Sequence, residues 1–164
     1  MSILYSVNFS GLTVTSGTLY ELFSLKLASG NIARLIALYL SQNVQAQDAN
    51  DAQVPYFIKT GYATQVTTGG SSATPASGPR ETTTSAVTAY TGCTATSTGG
   101  TAVTRHADAF NDRAGLIFIP TPEQQQFLTW GQAGAVDVLQ VEIPTANGKT
   151  YTSGFNGTIY WAEN

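Results

Sequence analysis

The sequence predicts an all-β protein, a single antiparallel β-sandwich with jelly-roll-like connections spanning residues 1–164. Three observations carry that reading. Runs rich in β-branched and aromatic residues alternate with polar ones at a period of two. Gly, Pro and Asn punctuate those runs at short intervals, and no strand–helix alternation of the parallel-sheet kind is present. The length, 164 residues, matches one domain with its own core.

The elements follow in order. Residues 3–9 place Ile3, Tyr5, Val7 and Phe9 on one face and Leu4, Ser6 and Asn8 on the other. Residues 18–27 set Leu19, Glu21, Phe23, Leu25 and Leu27 against Tyr20, Leu22, Ser24 and Lys26. Residues 31–41 are ambiguous: Ile32, Leu35, Ile36, Tyr39 and Leu40 fall at helical spacing with Asn31 as a cap. They also alternate as Ile32, Arg34, Ile36, Leu38 and Leu40, and the neighbouring strands favour a strand here. Residues 54–60, 115–119, 135–143 and 157–162 complete the strand set, with Asp137 on the face of Leu139, Val141 and Ile143. Asn147-Gly148 signals a hairpin turn, and Asn156-Gly157 a second turn ahead of the last strand. Residues 63–104, rich in Thr, Ser, Gly and Ala, read as an extended loop or arm, or as short edge strands, lying over a neighbouring subunit.

Composition narrows the function. Charged residues make up 10% of the chain, against roughly 25% in an ordinary soluble domain. Such a surface loses little when it packs against a neighbour, because few charges need desolvating. The net charge is −3, and Lys26, Arg34, Lys59, Arg80, Arg105, Arg113 and Lys149 are scattered. Nucleic-acid binding needs several phosphate-neutralising cations on one face, so none is expected. The first residues carry no basic region followed by an apolar run, and no stretch reaches membrane-spanning length. The chain is therefore expected to lack a signal peptide and to be made in the cytoplasm, with no membrane partner. The single cysteine, Cys93, has no cation or His beside it and reads as a passive thiol.

Catalytic chemistry is poorly represented. His106 and Asp108 would share a face of an extended segment, two parts of a hydrolase triad, but no Gly-x-Ser-x-Gly elbow accompanies them. A His106–Asp108 hydrogen bond rigidifying a strand end is the expected role. The acids are too dispersed for a glycosidase pair. Asp48, Asp51, Asp108, Asn111 and Asp112 offer hard oxygens, yet their spacing matches no EF-hand loop. One His and one Cys cannot make a zinc site. No catalytic residue, metal or cofactor is expected. Tyr56, Tyr62, Tyr90, Tyr151, Trp130 and Trp161 could stack on sugars, but core or interface is the favoured role.

The run Gly99-Gly100-Thr101-Ala102-Val103-Thr104-Arg105-His106-Ala107-Asp108-Ala109-Phe110-Asn111-Asp112-Arg113-Ala114-Gly115, continuing to Leu116-Ile117-Phe118-Ile119-Pro120-Thr121-Pro122-Glu123, resembles a segment of small bacteriophage and prophage virion structural proteins. Leu19-Tyr20-Glu21-Leu22 and Gly157-Thr158-Ile159-Tyr160 are similar to the same group. The resemblance implies a virion component and carries no catalytic residues. The expected function is a capsid decoration, or cement, protein that bridges coat subunits. Its partners would be the major capsid protein and copies of itself, with a homotrimer expected from lattice geometry. The alternative is a tail or fibre subunit that binds host-surface carbohydrate through exposed aromatics such as Tyr62, Tyr90 or Trp130. Within the motif, Gly99 and Gly100 are expected to reverse the chain. Asp108, Asn111 and Asp112 should satisfy turn backbone groups, Phe110 should anchor the loop in the core, and Pro120 and Pro122 should restrict the exit from the strand.

Overall fold

The computed structural model describes residues 2–42, 52–78, 83–131, 136–144 and 150–164. In chain order the first strands are β1 (Ile3–Val14), β2 (Tyr20–Leu27), β3 (Ala33–Gln42), β4 (Gln53–Thr64), β5 (Ser71–Ala73) and β6 (Ala76–Ser77). Then come β7 (Val87–Cys93), β8 (Thr98–Asn111), β9 (Leu116–Phe118), a short helix α1 (Pro122–Phe127), β10 (Thr129–Trp130), β11 (Asp137–Ile143) and β12 (Tyr151–Glu163). One sheet runs β10-β3-β12-β1-β6, with β9 also on the free edge of β3; the other runs β5-β7-β2-β11-β4-β8. The protein is thus an all-β sandwich. Of residues 31–41, all from Ala33 onward lie in a strand, as the neighbouring elements suggested.

Period-two patterning builds the core. Tyr5 and Val7 of β1, Leu35, Leu38 and Leu40 of β3, and Leu139, Val141 and Ile143 of β11 all face inward and are buried. The largest side chains without exposure are Trp130, Trp161, Tyr56, Tyr151, Phe23 and Phe155. Burying such rings removes roughly 150–250 Å² each from water, so the aromatics of this chain are mainly core. Glu163 fastens the two sheets at one edge. Its carboxylate accepts from Trp161 Nε1 at 2.8 Å, from the Ala86 amide at 2.8 Å and from Ser85 Oγ.

Among the bulges, extra residues that shift the side-chain phase, one falls in β2 and one in β3. In β2 the partners of Val141 and Glu142 are Phe23 and Glu21, so Leu22 is the extra residue. Glu21, placed by strict alternation on the core face with Phe23, turns to the outer face instead and bonds to Ser97. In β3, Tyr160 and Trp161 pair with Ala37 and Leu35, leaving Ile36 as the extra residue. That slip puts Ala33, Leu35, Leu38 and Leu40 on the core face, while Ile32 and Tyr39 of the helical spacing are exposed.

The Thr/Ser-rich stretch 63–104 folds onto its own sandwich. It contributes β5, β6, β7 and the first half of β8. The link from β4 to β5 and the link from β7 to β8 both join opposite ends of one sheet, so each crosses its outer face. Gln65 Nε2 donates to the carbonyls of Ser24 (2.7 Å) and Thr88 (2.8 Å), and the Thr94 amide donates to Thr68 O (3.0 Å), fixing these straps.

Two local expectations are corrected. Gly99 and Gly100 lie inside β8 and do not reverse the chain. Asn156-Gly157 is no turn, because β12 runs through it; Gly157 pairs with Phe9, and an added Cβ would sit 2.6 Å from the Phe9 ring. Asn147-Gly148 lies outside the described residues. The helix α1 was not anticipated. Thr121 caps it, accepting from the Gln124 amide while Gln124 Oε1 accepts from the Thr121 amide, and Pro122 opens its first turn.

Candidate functional site

The motif residues converge on one margin of the sandwich, where the edge of one sheet (β8) meets the edge of the other (β9, α1 and β10). β8 pairs with β4 from Gln53↔Asn111 to Thr64↔Thr98, and no described strand pairs with its other side. It is exposed from Thr98 to Ala109 at every position except His106. A long open edge offers a row of backbone donors and acceptors to another strand.

The glycines shape this edge. Gly99 and Gly100 adopt φ of 70° and 71°. A Cβ on Gly100 would lie 2.2 Å from Gly61 O, and one on Gly61 would lie 2.2 Å from Thr101 O. The two strands therefore touch backbone to backbone beside the irregularity between Thr60 and Tyr62.

A second bulge follows. Ile58 pairs with His106 and Lys59 with Thr104, so Arg105 is the extra residue. A bulge brings consecutive side chains toward one side, and Arg105 and His106 both line the same cleft. Arg105 Nε donates to the buried Thr60 Oγ1 at 2.8 Å. Among the described residues, its two terminal nitrogens meet no acceptor. The His106 ring packs on Phe118 with centroids 4.4 Å apart, and its Nε2 lies 3.0 Å from the Tyr56 hydroxyl. Burial lowers the His106 pKa from 6.5, with Asp108 opposing the shift, and burial then Asp108 push Tyr56 up to about 12.

The expected His106–Asp108 hydrogen bond is not formed. His106 is turned to Tyr56, and Asp108 Oδ1 accepts from the Ala109 amide at 2.8 Å. That bond occupies the Ala109 amide, opposite Pro55 of β4, so Asp108 covers one donor of the strand. Phe110 points into the core against Tyr56 and Phe155, though from a strand rather than from a loop. Asn111 Oδ1 accepts from the amides of Arg113 (2.9 Å) and Ala114 (3.3 Å), holding the corner that carries the chain to β9. Asp112 is fully buried and accepts from the Ala52 amide and the Tyr151 hydroxyl. Pro120 is buried, and Pro122 begins α1.

Compared with known proteins, the chain matches no family model, no curated protein and no solved structure.

Geometry therefore carries the reading of this margin. Asp108, Asn111 and Asp112 point their oxygens at separate backbone and hydroxyl donors. Among the described residues no three His, Cys, Asp or Glu side chains group to hold a metal; Asp48 and Asp51 lie outside them. Of the aromatics considered for sugar stacking, Trp130, Trp161, Tyr56 and Tyr151 are core residues, and Tyr62 and Tyr90 are half-buried. Cys93 is buried, and burial together with Glu21 pushes its thiol up to about 11. What the margin does present is apolar: Ile117, Ile119 and Phe127 are 73%, 61% and 65% exposed.

Arg105 and Phe127 are the residues that sequence reasoning missed. Arg105 counted only as one scattered cation, since nothing in the sequence marks the bulge. Phe127 closes a helix whose Thr-Pro-Glu-Gln opening was a legible capping signal.

Proposed function

We propose that this protein is a structural subunit of a bacteriophage particle that works by burying surface, as a capsid decoration or cement protein bridging adjacent coat subunits. The observation that supports it best is the open β8 edge, together with the exposed Ile117, Ile119 and Phe127 of the segment that runs from β9 to the end of α1. Exposed apolar groups clustered along an unpaired strand mark a contact surface. The scarcity of charge lowers the desolvation cost of covering it. A stable contact of this kind buries about 1,600 Å², and repetition over a shell multiplies its effect against internal pressure. In this reading the partners are the major coat protein and further copies of the chain, grouped as trimers at sites of local threefold symmetry.

Quantitative mass spectrometry of purified particles tests the proposal. Hundreds of copies per particle, comparable to the coat protein, are expected. A few dozen copies would move the chain to the tail, and absence from particles would end the virion reading.

A further inference from the structure

We propose that the cleft between β8 and α1 is a docking groove for an extended acidic segment of a partner protein, with a carboxylate seated on Arg105 and a flanking apolar side chain in the lobe formed by Phe118, Phe127 and Leu128. The inference rests on the assembly reading for the origin of the segment, a neighbouring chain in the lattice.

The cleft has two lobes of about 100 and 160 Å³ that share Arg105 and Phe127. Phe118 and Leu128 make the first apolar, whereas Gln126, Thr129 and Asp137 make the second polar. A small-molecule site usually needs about 300–1,000 Å³, so each lobe suits one side chain. An extended segment projects alternate side chains to one face about 6.6–7 Å apart, which is how neighbouring lobes are filled together.

Charge selects the segment. The Thr60 hydroxyl holds Arg105 by its Nε, so the guanidinium is oriented before any partner arrives and its remaining fork is uncommitted. That fork matches a carboxylate in a bidentate manner. His106 is kept neutral by burial and is tied to Tyr56, so it does not compete for the anion. Asp137 does not quench the arginine by contact: its oxygens accept from the Gly61 amide at 2.8 Å and the Gly131 amide at 3.0 Å. The chain as a whole is negative, so an acidic partner is drawn by this local cation rather than by the overall field.

The test titrates the isotope-labelled chain with two blocked pentapeptides, Leu-Thr-Glu-Thr-Leu and Leu-Thr-Gln-Thr-Leu, followed by NMR. The Glu peptide should shift the Arg105 Nε–H and the amides of His106, Phe127 and Thr129, and the Gln peptide should bind at least tenfold more weakly. Arg105→Gln, at an exposed position, should keep a native spectrum and abolish the preference, while Arg105→Lys should retain part of it. Phe127→Ala should weaken both peptides. Equal binding of the two peptides, a preference that survives Arg105→Gln, or the same shifts produced by acetate at equal concentration would overturn the proposal. The two readings fail separately. A chain absent from particles that still prefers the Glu peptide keeps the groove and ends the virion reading. A chain abundant in particles that shows no preference ends the groove alone.

Discussion

Gly99 and Gly100 look alike in sequence and share a left-handed backbone, yet only one of them is locked by its surroundings. At Gly99 a methyl group would meet Ala63 Cβ at 3.5 Å, an ordinary contact, so Gly99→Ala should cost only the backbone strain, about 1–2 kcal/mol. At Gly100 the methyl would be driven into the Gly61 carbonyl, which belongs to the ladder and cannot swing aside. Gly100→Ala should therefore destabilise by on the order of 3 kcal/mol or more, with fraying of the β4–β8 ladder. Urea denaturation of the two variants measures the contrast, and equal midpoints would show that the close approach is not maintained in solution. A glycine pair was legible in the sequence as a place needing unusual backbone. What it could not convey was the partner: the same pair serves a turn or a bulge, and only the carbonyl across the ladder decides. His106 and Asp108 teach the same lesson, since their spacing was right for a shared face while the bonds they make go to Tyr56 and Ala109.

At the scale of a strand, the bulge in β2 has the largest energetic effect. It turns Glu21 to the outer face, under the strap that contains Ser97, where it is fully buried. Its cross-strand neighbours are Cys93 on β7 and Glu142 on β11, and Glu142 is itself paired with Lys59 of β4 at 2.9 Å. Ser97 and Ser24 complete its surroundings. Lys59 thus serves Glu142, and Glu21, the carboxylate without a cation, is raised from 4.5 to about 7, chiefly by burial. Below pH 4.5 the native and unfolded chains both hold this proton, and its contribution to stability is complete. As pH rises toward 7 the unfolded chain releases the proton and the native chain retains it, so stability falls across that window and then levels. The loss attributable to Glu21 is at most about 3 kcal/mol. Glu21→Gln, whose amide can donate to Ser97 Oγ and accept from the Ser97 amide, should flatten that part of the profile. The variant should overtake the natural chain at pH 8. Urea melts at pH 5, 6, 7 and 8 check this, and parallel profiles would mean that Glu21 reaches water in the native state. Bulges are also where the elements were hardest to read: the positions of β1, β4, β9 and β11 followed from alternation or from β-branched and aromatic composition, that of β3 only from its strand neighbours, whereas Leu22, Ile36 and Arg105 each shift the phase through pairing with a distant strand.

For the whole molecule, the sandwich class was legible because it rests on a sum of many alternating residues, and no single bulge can cancel that sum. The strand order was not, because it depends on which distant segments pair. The apolar side chains of β11 and β12 show that both are buried, yet nothing local in them names their neighbours. In the structure β11 lies between β2 and β4, and β12 lies between β1 and β3. The final two strands in chain order thus each occupy the middle of a sheet.

That placement has a consequence in time. As the chain leaves the ribosome, β2 and β4, and likewise β1 and β3, have a gap where their shared partner belongs, and neither sheet can close until the last strands are made. Loop-closure entropy must be met before these long-range pairings reward it. Refolding from denaturant should therefore be slow for a domain of this size, in milliseconds to seconds. The amides of β1 and β3 should gain protection from hydrogen exchange together, in the same phase as those of β12. Protection of β1 well ahead of β12 would contradict this. For a protein proposed to join a lattice, the delay has a cost: until β11 and β12 are in place, β1, β2, β3 and β4 each keep an unpaired edge, and a half-made chain can be captured there by its neighbours before β8 is presented in final form.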